Sequence, residues 1–181
     1  MGLAVAAIAA ALVVFGIVTY NTLAKLRLLA DNAWSDIDVQ LKRRHDLIPS
    51  LVAAVQGHAG YEKSTLEAVV AARNRALTAA GPAASGDAEK ALSSSVNHIF
   101  ALAEAYPDLK AAESFLSLQR NLSEIEDNIQ NARRYYNAVV RDLNTKIAQF
   151  PSNLVAGAVG TRPREFFAAD SAERAVPGVR I

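Results

Sequence analysis

The sequence predicts an all-α protein: an N-terminal transmembrane helix followed by an antiparallel up-and-down four-helix bundle. The opening eighteen residues, MGLAVAAIAAALVVFGIV, carry no charged side chain. Downstream, apolar residues recur at steps of three and four, the period of one helix face, and no alternating strand pattern competes. Proline and glycine stand where four such segments would turn, and four single-sided stripes are most simply buried around one core.

At a rise of ~1.5 Å per residue the opening stretch makes a helix of about 27 Å, close to the hydrocarbon thickness of a bilayer. A cleaved signal peptide would begin with a basic region and end in a small-x-small site; this start reads MGLAV and the exit FGIVTYN, so an uncleaved anchor over residues 1–19 is the expectation. Basic side chains occur only downstream, at Lys25 and Arg27 and then Lys42, Arg43 and Arg44, which places the C-terminal domain in the cytoplasm. Gly2, Ala6 and Ala10 repeat at four-residue spacing, which would let two such helices approach closely, although alanine is also simply a good helix filler.

The bundle is expected over residues 20–150. Leu23, Leu26, Ala30, Ala33, Ile37, Leu41 and Ile48 draw one stripe, after which Pro49 either starts a new helix or kinks a continuing one; a turn is the expectation. A second helix carries Leu51, Val55, Leu66, Val70 and Leu77, with an irregularity at the weak helix formers Gly57 and Gly60. GPAASG, residues 81–86, reads as a loop, and Asp87 as the cap of a helix over 88–104 with Leu92, Val96, Ile99 and Leu102 inward. Asp108 then caps the last and most regular helix, whose seam runs Phe115, Leu118, Leu122, Ile125, Ile129, Ala132, Tyr136, Val139 and Leu143 and closes at Phe150-Pro151. The tail, 151–181, is apolar and aromatic, too short to span, and expected to fray at its end. Leu154, Val155, Phe166 and Phe167 are its candidate assembly residues, on the bundle, a neighbouring subunit or the membrane interface.

Composition narrows function. Nineteen Lys and Arg against eighteen Asp and Glu leave a net charge of +1, so no global field draws the chain to nucleic acid. The absence of cysteine removes thiolate nucleophiles and cysteine metal sites. No pair among His45, His58 and His98 has zincin spacing, no strand-turn-helix context surrounds a serine, and no Glu-x-x-His pair offers a di-metal site. Ser93-Ser94-Ser95 sits in a helix, and Glu124, Glu126 and Asp127 read as an exposed surface beside Arg133 and Arg134. No enzyme activity, cofactor or metal is expected.

One polar stretch interrupts the first stripe: IDVQLKRRHDLIP, residues 37–49. Either Arg44 or His45 must face inward there, and a buried polar group needs a partner. Trp34, Ile37, Asp38, Gln40, Arg43, Arg44, His45 and Asp46 are therefore the candidate residues of a hydrogen-bonded layer, with Asn128 as a further member, or of a surface that binds a partner. In the second reading Lys42, Arg43 and Arg44 form a displayed basic cluster; on a straight helix it stands about 35 Å past the membrane boundary, which favours a protein partner over lipid.

The run from YNTLAKLRLLADNAWSDIDVQLKRRHDLIPSLVAAVQGHAGYEKSTLEAVVAARNRA resembles the N-terminal half of the LemA family of bacterial membrane proteins. YPDLKA, FLSLQRNLSEIEDNIQNARRYYNAVVRDLN and FPSNLVAG follow in the family's order, so the resemblance covers residues 20–167; Ser50 and the His58, Tyr61 pair are its small departures. It implies a single-pass anchor with an antiparallel four-helix cytoplasmic domain and no established reaction, members being discussed as envelope or membrane-remodelling components, one in magnetosome formation. The expected role is a self-associating membrane scaffold or remodelling component that meets lipid through residues 1–19. The alternative is an accessory subunit of another envelope protein such as a membrane protease.

Overall fold

The computed structural model describes residues 1–57 and 63–167. Among them there is no strand, and the helices are α1 (Gly2–Gln56), α2 (Lys63–Thr78), α3 (Pro82–Ala103), α4 (Pro107–Ala111), α5 (Glu113–Ala148) and α6 (Ser152–Ala158). The described residues divide into two compact units, one of residues 1–35 with 134–165 and one drawn from residues 36–133 with Phe166 and Phe167.

In the first unit, α1 begins with the uncharged stretch, which is long and apolar enough to cross a membrane and is left exposed along nearly its whole length. Past it, Leu23 closes a small core with Leu143 of α5 and Ala156 of α6, against which Leu26, Ile147 and Val155 pack. Trp34 meets Tyr136 with ring centroids 5.6 Å apart. The tail is fastened by polar bonds. The Ser152 hydroxyl lies within donating distance of the carbonyl of Lys146 (2.7 Å), an orphan acceptor in the last turn of α5, and of the Gln149 carbonyl just past it (2.8 Å), which also accepts the Asn153 amide. Gly160, at φ 66, ends α6 in a left-handed turn in which the Thr161 amide reaches the Ala156 carbonyl and the Gly160 amide that of Gly157. Asn144 then grips the backbone of Arg164 in both directions, each bond 2.9 Å, and the Tyr136 hydroxyl donates to the Glu165 carbonyl. Arg164 pairs with Asp31 at 2.6 Å.

In the second unit, a core among the described residues takes Ile48, Leu51 and Val55 from α1, Leu66 and Val69 from α2, Leu92, Val96 and Ile99 from α3, Leu109 from α4, and Phe115 and Leu122 from α5. The α2 stripe runs through Leu66, Val69, Ala72 and Ala76, while Val70 and Leu77, expected inward, are exposed; the small alanines give α2 a flatter face to lay on its neighbours.

Three boundaries differ from expectation, and each difference has a local cause. Pro49 does not turn the chain: α1 continues through it. Proline has no N-H to give the carbonyl four residues back, and that carbonyl, of His45, instead accepts a 2.8 Å bond from Nε of Arg73 on α2. GPAASG is not a loop, because Pro82 stands at the first helical position and the connection from α2 is only the three residues 79–81, ending on Gly81 at φ 84. The last helix is split, with Asp108 in the first turn of α4 and a break at Ala112, where ψ is 124°. Leu109 and Phe115 are both buried, yet six residues make about one and two-thirds helical turns and would set them on different faces; the break restores the phase. The irregularity expected at 57–60 begins as a turn at Gly57, and the remainder, with His58, lies outside the described residues, as does the end expected to fray.

Candidate functional site

The inward line of α1 steps by seven through Leu23, Ala30, Ile37, Arg44 and Leu51, so that an arginine occupies a seam position between fully buried aliphatic side chains. His45, one residue on, lies on the adjoining line between Leu41 and Ile48. Both are buried, Arg44 at 5% and His45 at 6% relative exposure. The turn of α1 that departs from apolar patterning is thus the place where charge enters the core of the second unit.

Glu89 of α3, itself 5% exposed, answers both. One of its carboxylate oxygens lies 2.5 Å from Nε2 of His45 and the other 3.4 Å from Nη1 of Arg44. A carboxylate only accepts, so the His45 ring must carry its hydrogen on Nε2 to make this bond. Arg44 spends its fork on three partners: besides Glu89 it donates from Nη2 to Ser93 Oγ at 2.7 Å, and its Nη1 stands 3.0 Å from Glu126 Oε2 on α5 in an ion pair whose angle falls short of a hydrogen bond. The other oxygen of Glu126 accepts from Gln130 at 2.8 Å. Arg44 is thereby flanked by two carboxylates, and α1, α3 and α5 are tied through a single guanidinium, with α2 joined by Arg73 to the His45 carbonyl.

The other expected members of the layer divide. Ile37 is wholly buried; Trp34 and Gln40 are half-buried, the Gln40 Oε1 enclosed without a hydrogen-bond partner among the described residues; Asp38, Arg43 and Asp46 are exposed. Asn128 and His98 are exposed as well. Two expectations are corrected. Lys42, Arg43 and Arg44 are not one displayed basic cluster, because the helical turn sends Arg44 inward and leaves only Lys42 and Arg43 outside. Glu126 is not part of an exposed acidic surface, since it turns to Arg44. Glu89 escaped the sequence reading because the helix was begun too late, which made it a first-turn acid; its place seven residues before Val96 and three before Leu92 marks it as inward. Of the tail residues, Val155 packs on the small core, Phe167 is buried, Phe166 is half-buried and Leu154 is exposed.

Beside Arg44 a cleft of about 310 Å³ opens between α3 and α5, lined by Ser93, Asn97, Phe100, Gln119, Glu126 and Asp127. Its floor is the Arg44 guanidinium already met by two carboxylates, so the lining is polar without an uncompensated cation to seize an anion. Among the described residues no three His, Asp or Glu side chains gather as a metal site. The arrangement binds helices to one another, as a buried polar tie that sets which side chains meet.

An exposed apolar N-terminal helix leading into helices held by a buried polar tie defines a class: membrane-associated helical proteins without a strand among the described residues. Within it the chain belongs to the LemA family, whose model matches residues 33–181. It is 28% identical over 147 residues to Protein LemA of Metamycoplasma hominis, an alignment covering 79% of this chain and 66% of that one. It is 25% identical over 174 residues to Magnetosome protein MamQ 2 of Paramagnetospirillum magneticum and to Magnetosome protein MamQ of Magnetospirillum gryphiswaldense, covering 82% of this chain and 64% of each. The chain therefore spans a little under two-thirds of the length of these relatives.

Proposed function

We propose that this protein is a non-catalytic, single-pass membrane protein that acts as a self-associating scaffold or membrane-remodelling component. The observation that carries the reading is the exposed, uncharged start of α1 continuing without interruption into helices whose buried charges are committed to one another. An apolar helix left in water would be strongly disfavoured, and a bilayer is the solvent that suits it. The family and the relatives named as magnetosome proteins support a membrane role of this kind. In this reading the second half of α1, α2, α3 and α5 form an antiparallel four-helix bundle on the cytoplasmic side of the inner membrane. Association in this reading runs through the anchor, where Gly2, Ala6 and Ala10 repeat at four-residue spacing on an exposed helix and would let a second helix approach closely. Light scattering of the full chain in mild detergent tests the scaffold: a defined multiple of the 19.3 kDa chain is expected, and a monomer would overturn it.

A second reading, an adaptor for another envelope protein, is favoured by the exposed charges Asp38, Lys42, Arg43 and Asp46 on the outer side of the turn that holds the buried tie. It predicts a co-purifying membrane protein that is lost on Lys42→Ala plus Arg43→Ala; a partner retained by that variant removes this face from consideration.

A further inference from the structure

The corner from α5 into α6 is apolar on the side that its own core leaves uncovered. From Phe150 to Thr161 the chain has no charged residue. Val155 and Ala156 face the small core with Leu23 and Leu143, whereas Phe150 is 75%, Leu154 64% and Val159 43% exposed. The contact with Leu23 fixes where this patch lies: alongside the turn of α1 that directly follows its uncharged stretch, just before Lys25, the first charged side chain of the chain. Exposed Lys25 and Arg27 on α1 and exposed Arg162 after α6 place cations around the same level. Aromatic and aliphatic side chains rimmed by Lys and Arg are the composition of an element lying at a bilayer surface.

We propose that this corner is a second membrane contact, with Phe150, Leu154 and Val159 set into the boundary between headgroups and acyl chains and the basic side chains around them meeting anionic lipid. The contact rests on the reading of α1 as a span, which brings the corner to the right height. A second copy of the chain is the weaker occupant: three side chains on a seven-residue helix and its flanks offer far less than the ~800 Å² per partner of a stable protein interface.

Because the chain has no cysteine, single substitutions report one position each. Leu154→Cys or Phe150→Cys, labelled with an environment-sensitive fluorophore in the full-length protein, is reconstituted into vesicles of zwitterionic and anionic phospholipid. Val39→Cys, at an exposed position, serves as the water reference, and Leu12→Cys reports the span. The expected result is a blue-shifted label at 154, quenched by lipid brominated close to the headgroup and several-fold less sensitive to aqueous iodide than the label at 39. Iodide quenching equal to that at 39 overturns the proposal. So does a label shielded from iodide yet quenched by no lipid, which would give the patch to a second copy. Lipid quenching lost at 12 but kept at 154 would sink the span and leave the surface contact standing.

Discussion

Arg44 shows how much one side chain can hold. Its guanidinium meets Glu89, Ser93 and Glu126 from a position that is 5% exposed, so truncation leaves two carboxylates without their cation in a poorly solvated place. Arg44→Ala is expected to cost about 3–5 kcal/mol, the range for breaking a buried pair by removing one partner. Glu89→Ala should cost less, since it leaves His45 without this partner while Arg44 keeps Glu126 and Ser93. Arg44→Leu with Glu89→Leu should lose clearly less than the two single leucine variants added, because removing both charges leaves less unpaired. Urea unfolding in mild detergent measures all of these, and strict additivity would show the tie to be energetically inert. At this scale the candidate site was half legible. The polar interruption of an apolar stripe pointed to Arg44 and His45, because burial follows from helical phase. Their partners were hidden, since Glu89 and Glu126 lie 45 and 82 residues away and nothing in α1 specifies which acid will answer. Tyr136 makes a separate case. Burial is the largest influence on its phenol and raises its pKa above the ordinary value of about 10, with Glu165 and Asp31 adding to the rise and Arg164 opposing it. A raised folded-state pKa contributes stability that is complete below about pH 10 and is lost as pH climbs through the folded value. Tyr136→Phe should flatten that alkaline decline while losing the bond to the Glu165 carbonyl, and an unchanged slope would assign the decline to other groups.

At the scale of elements, the regular parts were readable and the joints were not. Phe115, Leu122, Ile129, Tyr136 and Leu143 repeat every seven residues and are all buried, so α5 is the helix its sequence describes. Pro49 was misread because a local rule, that proline costs a helix a hydrogen bond, was overruled by a donor from another helix. That substitution can be measured. Arg73→Ala should cost about 1–3 kcal/mol by orphaning the His45 carbonyl, and markedly less in a Pro49→Ala background, where the restored amide can satisfy the same oxygen. Equal costs in the two backgrounds would mean that Arg73 acts through something other than this carbonyl. The tail follows similar logic. Asn144→Ala removes both bonds to the Arg164 backbone, and hydrogen exchange at the amides of Arg164 and Glu165 should quicken.

At the scale of the whole molecule, the question is which side of the membrane the helices face. An exposed uncharged helix specifies that a membrane is entered, but direction depends on the charges flanking it. Lys25 and Arg27 follow the uncharged stretch closely, with Asp31 counting little because acidic residues weigh weakly in orientation. The orientation proposed above, with the C-terminal side in the cytoplasm, can be tested directly. A single cysteine at the exposed position 39, replacing Val39, should resist a membrane-impermeant maleimide in spheroplasts and react once they are permeabilised. Lys25→Glu plus Arg27→Glu leaves no basic residue within fifteen positions of the span's end at Val18, and a fraction of the label should then become accessible from outside. Full accessibility in the unsubstituted flank would place the Arg44 tie and the surface charges Lys42 and Arg43 outside the cytoplasm. Any partner that reads them would then have to be sought there.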